Sequence, residues 1–187
     1  IHYLDTRLND EPSIIRTTLP VSSEEDEFYL EMYVVDGGDD NDVRSGLMEK
    51  SPNTRYGKYP ENEWDGEFLT YSGHSGAIYF RWQDDAPKEF AERFSSGDII
   101  GLSVKRKNEH VRTAQFTKNC RMAGLPYDFN FENQTYLYPF IGFDSPGARV
   151  QTHFGSPFFT RIGNFNNRGY INYFYLKCFT SLCYVHF

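Results

Sequence analysis

The sequence predicts an all-β domain built as a sandwich or barrel of antiparallel strands. Aromatic residues form 18% of the 187 residues, and aromatic side chains favour pleated, half-buried surfaces. Short strand-like runs recur along the chain between clusters of Gly, Pro, Asn and Asp, which indicate turns. Long helical stretches do not alternate with these runs, which argues against a doubly wound α/β fold.

The first clear strand is predicted at residues 28–35. Alternate apolar residues, from Phe28 to Val34, fall on one face of this strand, and the residues between them fall on the other. The sequence Asp-Gly-Gly-Asp that follows predicts a turn. Residues 87–94 have some helical character, but that segment is short. Further strands are predicted at residues 43–48, 67–72, 77–82, 99–105, 111–117, 136–143 and 149–154.

The formal net charge is −7, from 19 basic and 26 acidic side chains. This balance argues against sequence-independent nucleic-acid binding, which depends on cationic contacts to phosphates. Residues 24–42 contain nine acids and no base. We interpret this run as a solvated edge strand with its flanking loops. The alternative is a surface that binds a basic partner. The basic triplet at residues 105–107 is interpreted as a solvated turn.

The three cysteines and five histidines show no spacing typical of a metal site or a disulfide scaffold, so no metal or cofactor is predicted. No apolar run reaches the 18 residues or so of a membrane span. The chain starts at Ile1 rather than Met, which predicts a fragment or a processed chain. No signal peptide is visible, so the compartment stays open, with the cytoplasm favoured.

Six segments, in the order in which they occur, resemble the SPRY domain, the core of the B30.2 module. They are FYLEM at residues 28–32, GL at 46–47, YSGHSGAIY at 71–79, GDIIG at 97–101, FTKN at 116–119, and YLYPFIG at 136–142 with FG at 154–155. Together they cover about residues 14–160. The likeness is in particular to the SPRY domains of the Ran-binding-protein-M-like group and of SPRY domain-containing protein 3.

This resemblance implies a concanavalin-like bent sandwich of two antiparallel sheets, occupying residues 1–168 and followed by an aromatic tail at 169–187. It also implies a non-catalytic protein-interaction module, an adaptor or scaffold that binds a peptide or loop of a partner protein. Ubiquitin-ligase components are among the partners that the family admits. No nucleic acid, membrane or cofactor is implied.

By the same resemblance, partner contacts come from loops at one end of the sandwich. The candidate residues are Arg16, Thr18, Pro20, Tyr71, Tyr79, Phe80, Arg81, Phe143, Asp144, Ser145 and Pro146. Tyr and Arg side chains are good interface anchors, and loops at the ends of a sandwich carry function. A position in the core is the alternative for Tyr71 and Tyr79.

One departure from the family concerns the turn after residue 118, where Cys120 replaces a glycine. Glycine would adopt a positive φ at low cost, whereas cysteine does not. We therefore expect either a strained hairpin or an Asn119 that takes the left-handed position instead.

Two other functions were weighed. A lectin-like sandwich would use the aromatic residues to stack on sugars and the acidic residues 36–42 to hold calcium, although this loop does not fit the EF-hand spacing. A hydrolase would use Gly73-His74-Ser75-Gly76-Ala77, which lacks the last glycine of G-x-S-x-G and precedes a strand rather than a helix. A hairpin turn is the better interpretation of that segment.

Overall fold

The computed structural model describes residues 2–5, 13–17, 19–21, 25–49, 68–80, 89–130, 136–144 and 147–154. Regular structure in these ranges is all β. The twelve strands are β1 His2–Asp5, β2 Ser13–Arg16, β3 Glu27–Asp36, β4 Val43–Glu49, β5 Phe68–Ser72, β6 Ala77–Phe80, β7 Glu89–Phe90, β8 Ile99–Arg106, β9 Val111–Lys118, β10 Arg121–Asn130, β11 Leu137–Phe143 and β12 Arg149–Phe154. Within these ranges no helix is long and apolar enough to cross a membrane.

The strands form two six-stranded antiparallel sheets. Sheet A has the order β1-β12-β3-β8-β9-β10, and sheet B has the order β2-β11-β4-β5-β6-β7. The late strand β12 therefore lies between β1 and β3, and the late strand β11 lies between β2 and β4. The predicted all-β class with two antiparallel sheets is confirmed.

The core lies between the two sheets. Leu30, Met32 and Val34 of β3 are buried in it, as the alternation in the sequence predicts. The ring of Tyr71 in sheet B lies 5.3 Å from the ring of Phe116 in sheet A, so aromatic packing joins the layers. Each such fully buried side chain stabilises the fold by about 1.5–3 kcal/mol relative to exposure.

The eight predicted strands are all present, with residues 67 and 81–82 at their ends outside the described residues. The helical character predicted at residues 87–94 is wrong over its described part, because Glu89 and Phe90 form β7. The backbone N–H of Ala91 also donates to the carbonyl of Gly76 (2.8 Å). So short a segment cannot nucleate a helix against this cross-strand pairing. The tail at 169–187 lies outside the described residues, so the domain boundary at 168 stays a prediction.

The turn between β9 and β10 combines the two expectations. Asn119 and Cys120 both have positive φ, of 50° and 66°, as both residues of a type I′ turn require. The side chain of Asn119 fixes this geometry: its Oδ1 accepts from the N–H of Ile99 (2.9 Å), and its Nδ2 donates to Asp98 (2.7 Å). Left-handed geometry is thus shared by the two residues.

Candidate functional site

The outer face of sheet B brings two of the predicted site residues into one register row. Arg16 is paired with Phe140, Phe140 with Gly46, Gly46 with Thr70, and Thr70 with Tyr79. Four strand spacings separate the ends of the row, so Arg16 and Tyr79 lie about 19 Å apart. Arg16 is exposed and Tyr79 is half-buried, whereas the middle of the row is buried.

A small buried apolar cluster occupies the middle of this face. Met48, Phe68 and Phe140 are buried together, with Ile14 and Tyr79 packed against them. Among the described residues of this row, the exposed position is therefore Arg16, at the β2 edge of the face.

The edge at β2 carries an aromatic and cationic arrangement. The guanidinium carbon of Arg16 lies 4.7 Å from the centroid of the Tyr138 ring, a cation–π contact. After β2 the chain continues along β11, because the N–H of Thr17 donates to the carbonyl of Pro139 (2.9 Å) and that of Val21 to the carbonyl of Leu137 (2.8 Å).

Two large apolar side chains are exposed beside this contact. Leu19 is 58% exposed and Tyr136 is 50% exposed. The hydroxyl of Thr17 donates to the carbonyl of Leu19 (2.7 Å), which holds the turn that presents the leucine. We name the group Arg16, Leu19, Pro20 and Tyr136, together with the buried Tyr138 whose ring contacts Arg16, the β2–β11 surface.

Two predicted site residues, Tyr71 and Phe143, are buried in the core, and a third, Phe80, is partly buried against it. Tyr71 is fully buried, donates its hydroxyl hydrogen to the carbonyl of Glu92, and packs edge-on against Phe94 at 4.9 Å. Phe143 is buried in the main cluster. Phe80 packs on the opposite sheet, where the ring centroids of Tyr127 and Phe129 lie at 5.5 and 5.3 Å. The core alternative for Tyr71 is thus the one that the structure shows. Thr18, Arg81, Ser145 and Pro146 lie outside the described residues.

Asp144 lies at the other end of β11 from Pro20. Its N–H donates to the carbonyl of Asp42 (2.9 Å), and Asp42 is bound by the guanidinium of Arg44 (3.1 Å). Partial desolvation raises the pKa of the Asp144 carboxyl, and the negative charge of Asp42 raises it further. Seven residues of strand separate Asp144 from the segment that holds Pro20, which is about 23 Å. Asp144 and Pro20, which are described members of two of the predicted loops, therefore lie towards opposite ends of β11.

The basic triplet is neutralised by acids of the chain itself. Its ion pairs join Lys105 to Glu27 (3.1 Å), Arg106 to Asp26 (3.1 Å) and Lys107 to Asp128 (2.6 Å). The hydrogen bonds from Lys107 and Thr113 lower the pKa of the Asp128 carboxyl. Lys105 and Arg106 are the last two residues of β8, and only Lys107 lies beyond the strand, so the triplet marks a strand end with charges paired within the chain.

Two acidic residues that flank the loop after β3, Asp36 and Asp42, are likewise engaged, whereas Asp39 and Asp40 are exposed. The carboxylate of Asp36 accepts the N–H of Gly38 (3.1 Å) and a hydrogen bond from Arg149 (3.2 Å), and both lower its pKa. Arg44 holds Asp42. Among the described residues no cluster of His, Cys, Asp or Glu side chains is arranged to hold a metal ion. The described geometry therefore gives no support to the calcium site of the lectin-like alternative.

Known proteins resemble this chain over most of the two-sheet sandwich. No model of a protein family matches the chain. A human SPRY domain superposes with a TM-score of 0.61 at 21% identity, over 81% of this chain and 90% of that one. The SPRY domain of human HERC1 superposes with a TM-score of 0.53 at 19% identity, over 81% and 94% of the two chains. The chain folds as a SPRY domain.

Sequence relatives agree with this SPRY fold. Ran-binding protein 9 of Xenopus laevis is 28% identical over 160 residues, which cover 84% of this chain and 27% of that protein. Ran-binding protein 10 of Danio rerio is 28% identical over 156 residues, covering 83% and 24%. The dual specificity protein kinase splA of Dictyostelium discoideum is 30% identical over 145 residues, covering 78% and 5%. The chain thus spans about a quarter of the length of the Ran-binding relatives that it matches.

The SPRY-like segments of the sequence lie in the strands and hairpins of the two sheets. Residues 28–32 lie in β3, residues 46–47 in β4, and residues 71–79 form the β5–β6 hairpin. Residues 97–101 lead into β8, and residues 116–119 form the β9–β10 turn. The predicted resemblance is confirmed.

Sequence reasoning missed two members of the β2–β11 surface, Tyr136 and Tyr138. It placed a contact segment at residues 16–20, which contains Leu19, without singling out the leucine. A signal for the tyrosines was present, because they flank the buried Leu137 and strand alternation places both on the face opposite to it. No comparable signal marks Leu19. Its exposure follows from the turn after β2, which precedes any predicted strand.

Proposed function

We propose that this SPRY domain binds a peptide or an exposed loop of a partner protein through the β2–β11 surface. A SPRY domain is in general a protein-interaction module. The observation that carries this placement is the cation–π contact of Arg16 with Tyr138 beside the exposed Leu19 and Tyr136.

The chemistry of this surface is that of a binding anchor. Arginine and tyrosine are enriched among the residues that dominate binding energy. The Tyr138 ring holds the Arg16 side chain in place, so less side-chain entropy is lost when a partner binds. Leu19 adds apolar area that a partner would remove from water.

The finer role that we propose is that of an adaptor or scaffold, with ubiquitin-ligase components among its partners. Its support is indirect. The SPRY resemblance admits this role, and the Ran-binding relatives are proteins about four times longer than the matching region. A domain of this kind within a longer protein would bring one partner to the rest of the assembly.

The test is affinity capture with the chain of residues 1–187 as bait, followed by mass spectrometry. We expect the double variant Arg16→Ala, Leu19→Ser to reduce capture of the reproducible partners by about tenfold or more, as removal of an interface anchor does. The matched control is Asp144→Asn at the far end of β11, which should capture the same partners as the parent chain. Loss with Asp144→Asn but not with the double variant would refute this placement.

A further inference from the structure

The free edge of β2 carries backbone groups that pair with no described strand. β2 is an edge strand of sheet B, where β11 is its one neighbour among the described strands. The two sheets end in four such edges: β1 and β10 in sheet A, and β2 and β7 in sheet B. An open edge is a template for pairing with another chain. Which edge offers that template depends on the length and regularity of each strand.

Two of the four edges are unsuited to strand pairing. β7 has only two residues. The pairing of β10 with β9 is interrupted by a bulge between Ala123 and Tyr127, where the carboxylate of Glu89 clamps the chain by accepting the N–H of Leu125 (2.7 Å). Very short strands and bulges prevent pairing at an edge. This leaves β1 and β2, of four residues each, and β2 is the one that forms part of the β2–β11 surface.

The register of β2 shows which of its backbone groups face outward. The N–H of Thr17 donates to the carbonyl of Pro139 in β11 (2.9 Å). In an antiparallel pair, residues that bond the partner strand alternate with residues whose N–H and C=O point away from it. Ile15, two positions before Thr17, therefore faces β11. Ile14 and Arg16 direct their N–H and C=O groups to the free edge, and these groups have no hydrogen-bond partner among the described residues.

The side chains of this edge determine which residues an added strand would need. Ile15 packs against the main core, and Ile14 packs against the apolar cluster on the outer face of sheet B. Arg16 is exposed on the same outer face and has no ion-pair partner in the described part of the chain, and the neighbouring β11 contains no acidic residue. Side chains directly opposite each other on paired strands interact, and opposite charges there are favourable. An apolar residue beside Ile14 and an acidic residue beside Arg16 would therefore stabilise an added strand.

Pro139 contributes to the position of the Arg16 guanidinium. A proline has no N–H, so β11 donates no hydrogen bond to the Thr17 carbonyl at this pair. The Nη1 of Arg16 donates to that carbonyl instead (3.4 Å), and the guanidinium carbon lies 4.7 Å from the centroid of the Tyr138 ring. The arginine is thus held beside the edge before a partner arrives, which reduces the side-chain entropy lost on binding.

We propose that the β2 edge binds an extended segment of a partner protein by strand addition, which would extend sheet B by one strand. Alternate residues of the segment would bond the N–H and C=O groups of Ile14 and Arg16, with an apolar residue beside Ile14 and an Asp or Glu beside Arg16. In this mode, main-chain hydrogen bonds supply affinity and alternate side chains supply specificity. The inference rests on the proposed function, because it states how the β2–β11 surface binds a peptide.

The test starts from random short peptides displayed on phage and selected against the chain of residues 1–187. We expect enriched peptides that carry an Asp or Glu two positions from an apolar residue. Each residue of an enriched peptide is then N-methylated in turn, which removes one backbone N–H, and the Kd is measured by isothermal titration calorimetry. Strand addition predicts a loss of about tenfold at alternate residues, because each of these changes leaves a carbonyl of the edge without its donor. The residues between them should tolerate the methyl group.

The matched pair of variants is Arg16→Ala and Arg16→Pro. Both remove the guanidinium, and the proline also removes the outward N–H, a change that an edge strand tolerates where this group faces solvent. We expect Arg16→Ala to weaken peptide binding about threefold, as loss of an exposed charge pair does, and Arg16→Pro to weaken it about tenfold more. Asp144→Asn, at the far end of β11, should bind as the parent chain does. Circular dichroism reports whether each variant is folded, and if Arg16→Pro is not, the N-methyl series on the parent chain decides the question.

The outcomes separate this inference from the proposed function. Suppose that affinity falls in Arg16→Ala and in Leu19→Ser, while the N-methyl series shows no alternation and Arg16→Pro equals Arg16→Ala. The β2–β11 surface would then stand, and strand addition would be overturned. An alternating N-methyl series with no effect of Arg16→Ala or Leu19→Ser would support strand addition and refute the side-chain anchors of the proposed function. Peptides bound equally by every variant, or a selection that enriches no peptide, would overturn both.

Discussion

At the scale of single residues, the β9–β10 turn contains one residue, Cys120, whose side chain does not favour the backbone conformation that it adopts. Asn119 and Cys120 both have positive φ. Asparagine tolerates this conformation and here gains side-chain bonds to Ile99 and Asp98, whereas a left-handed cysteine costs on the order of 1–2 kcal/mol. The turn is thus held by one of its two residues and strained at the other.

We expect Cys120→Gly to raise the free energy of unfolding by about 0.5–1 kcal/mol, because glycine adopts the left-handed conformation without the steric cost of Cβ. Urea denaturation of the chain measures this change. The matched control is Asn119→Gly in the same turn, which should lower stability because it removes the bonds to Ile99 and Asp98. A decrease in stability for Cys120→Gly would show that the turn carries no strain at this position.

Single residues also show where sequence reasoning about the site reaches its limit. Tyr71 and Tyr79 both belong to the segment YSGHSGAIY, and the sequence offers each of them a surface or a core position. The structure buries Tyr71 between the sheets and leaves Tyr79 half-buried on the outer face of sheet B. Their exposure depends on what packs against each sheet, which is information from distant parts of the chain.

At the scale of elements, alternation and turn chemistry predict the long strands and fail for interrupted or very short ones. β10 was not predicted because Gly124 and Pro126 indicate a turn, yet both lie in a bulge that the strand tolerates at a sheet edge. β7 has two residues, too few to show a period of two. β1 and β2, of four residues each, are similarly short.

The bulge of β10 also allows a stability prediction. Glu89→Ala removes the acceptor of the Leu125 N–H and of the Tyr127 hydroxyl. We expect a loss of about 1–3 kcal/mol, the usual cost of leaving partly buried donors without partners. The control is Glu92→Ala, which removes an exposed ion pair with Lys118 and should cost about 0–1 kcal/mol. Urea denaturation compares the two, and equal losses would show that Glu89 does not act as a clamp.

At the scale of the whole molecule, the two sheets share one core, and aromatic side chains join them. Phe116 of sheet A is fully buried against Tyr71 of sheet B. We expect Phe116→Ala to cost about 3–5 kcal/mol, a large part of the 5–15 kcal/mol or so that stabilises a typical domain. Thermal unfolding followed by circular dichroism measures it. Met122→Ala, at an exposed position of the same sheet, should change stability little.

The order of the strands has a consequence for how the protein is made. β1 and β3 are separated in sheet A by β12, and β2 and β4 are separated in sheet B by β11. During translation the early strands leave the ribosome long before the strands that lie between them. Sheet B cannot be completed until residue 143 has emerged, and sheet A cannot be completed until residue 154 has emerged. Non-local pairing of this kind folds slowly. The nascent chain must therefore carry unpaired strand edges while most of this domain is being synthesised, and such edges are prone to aggregation.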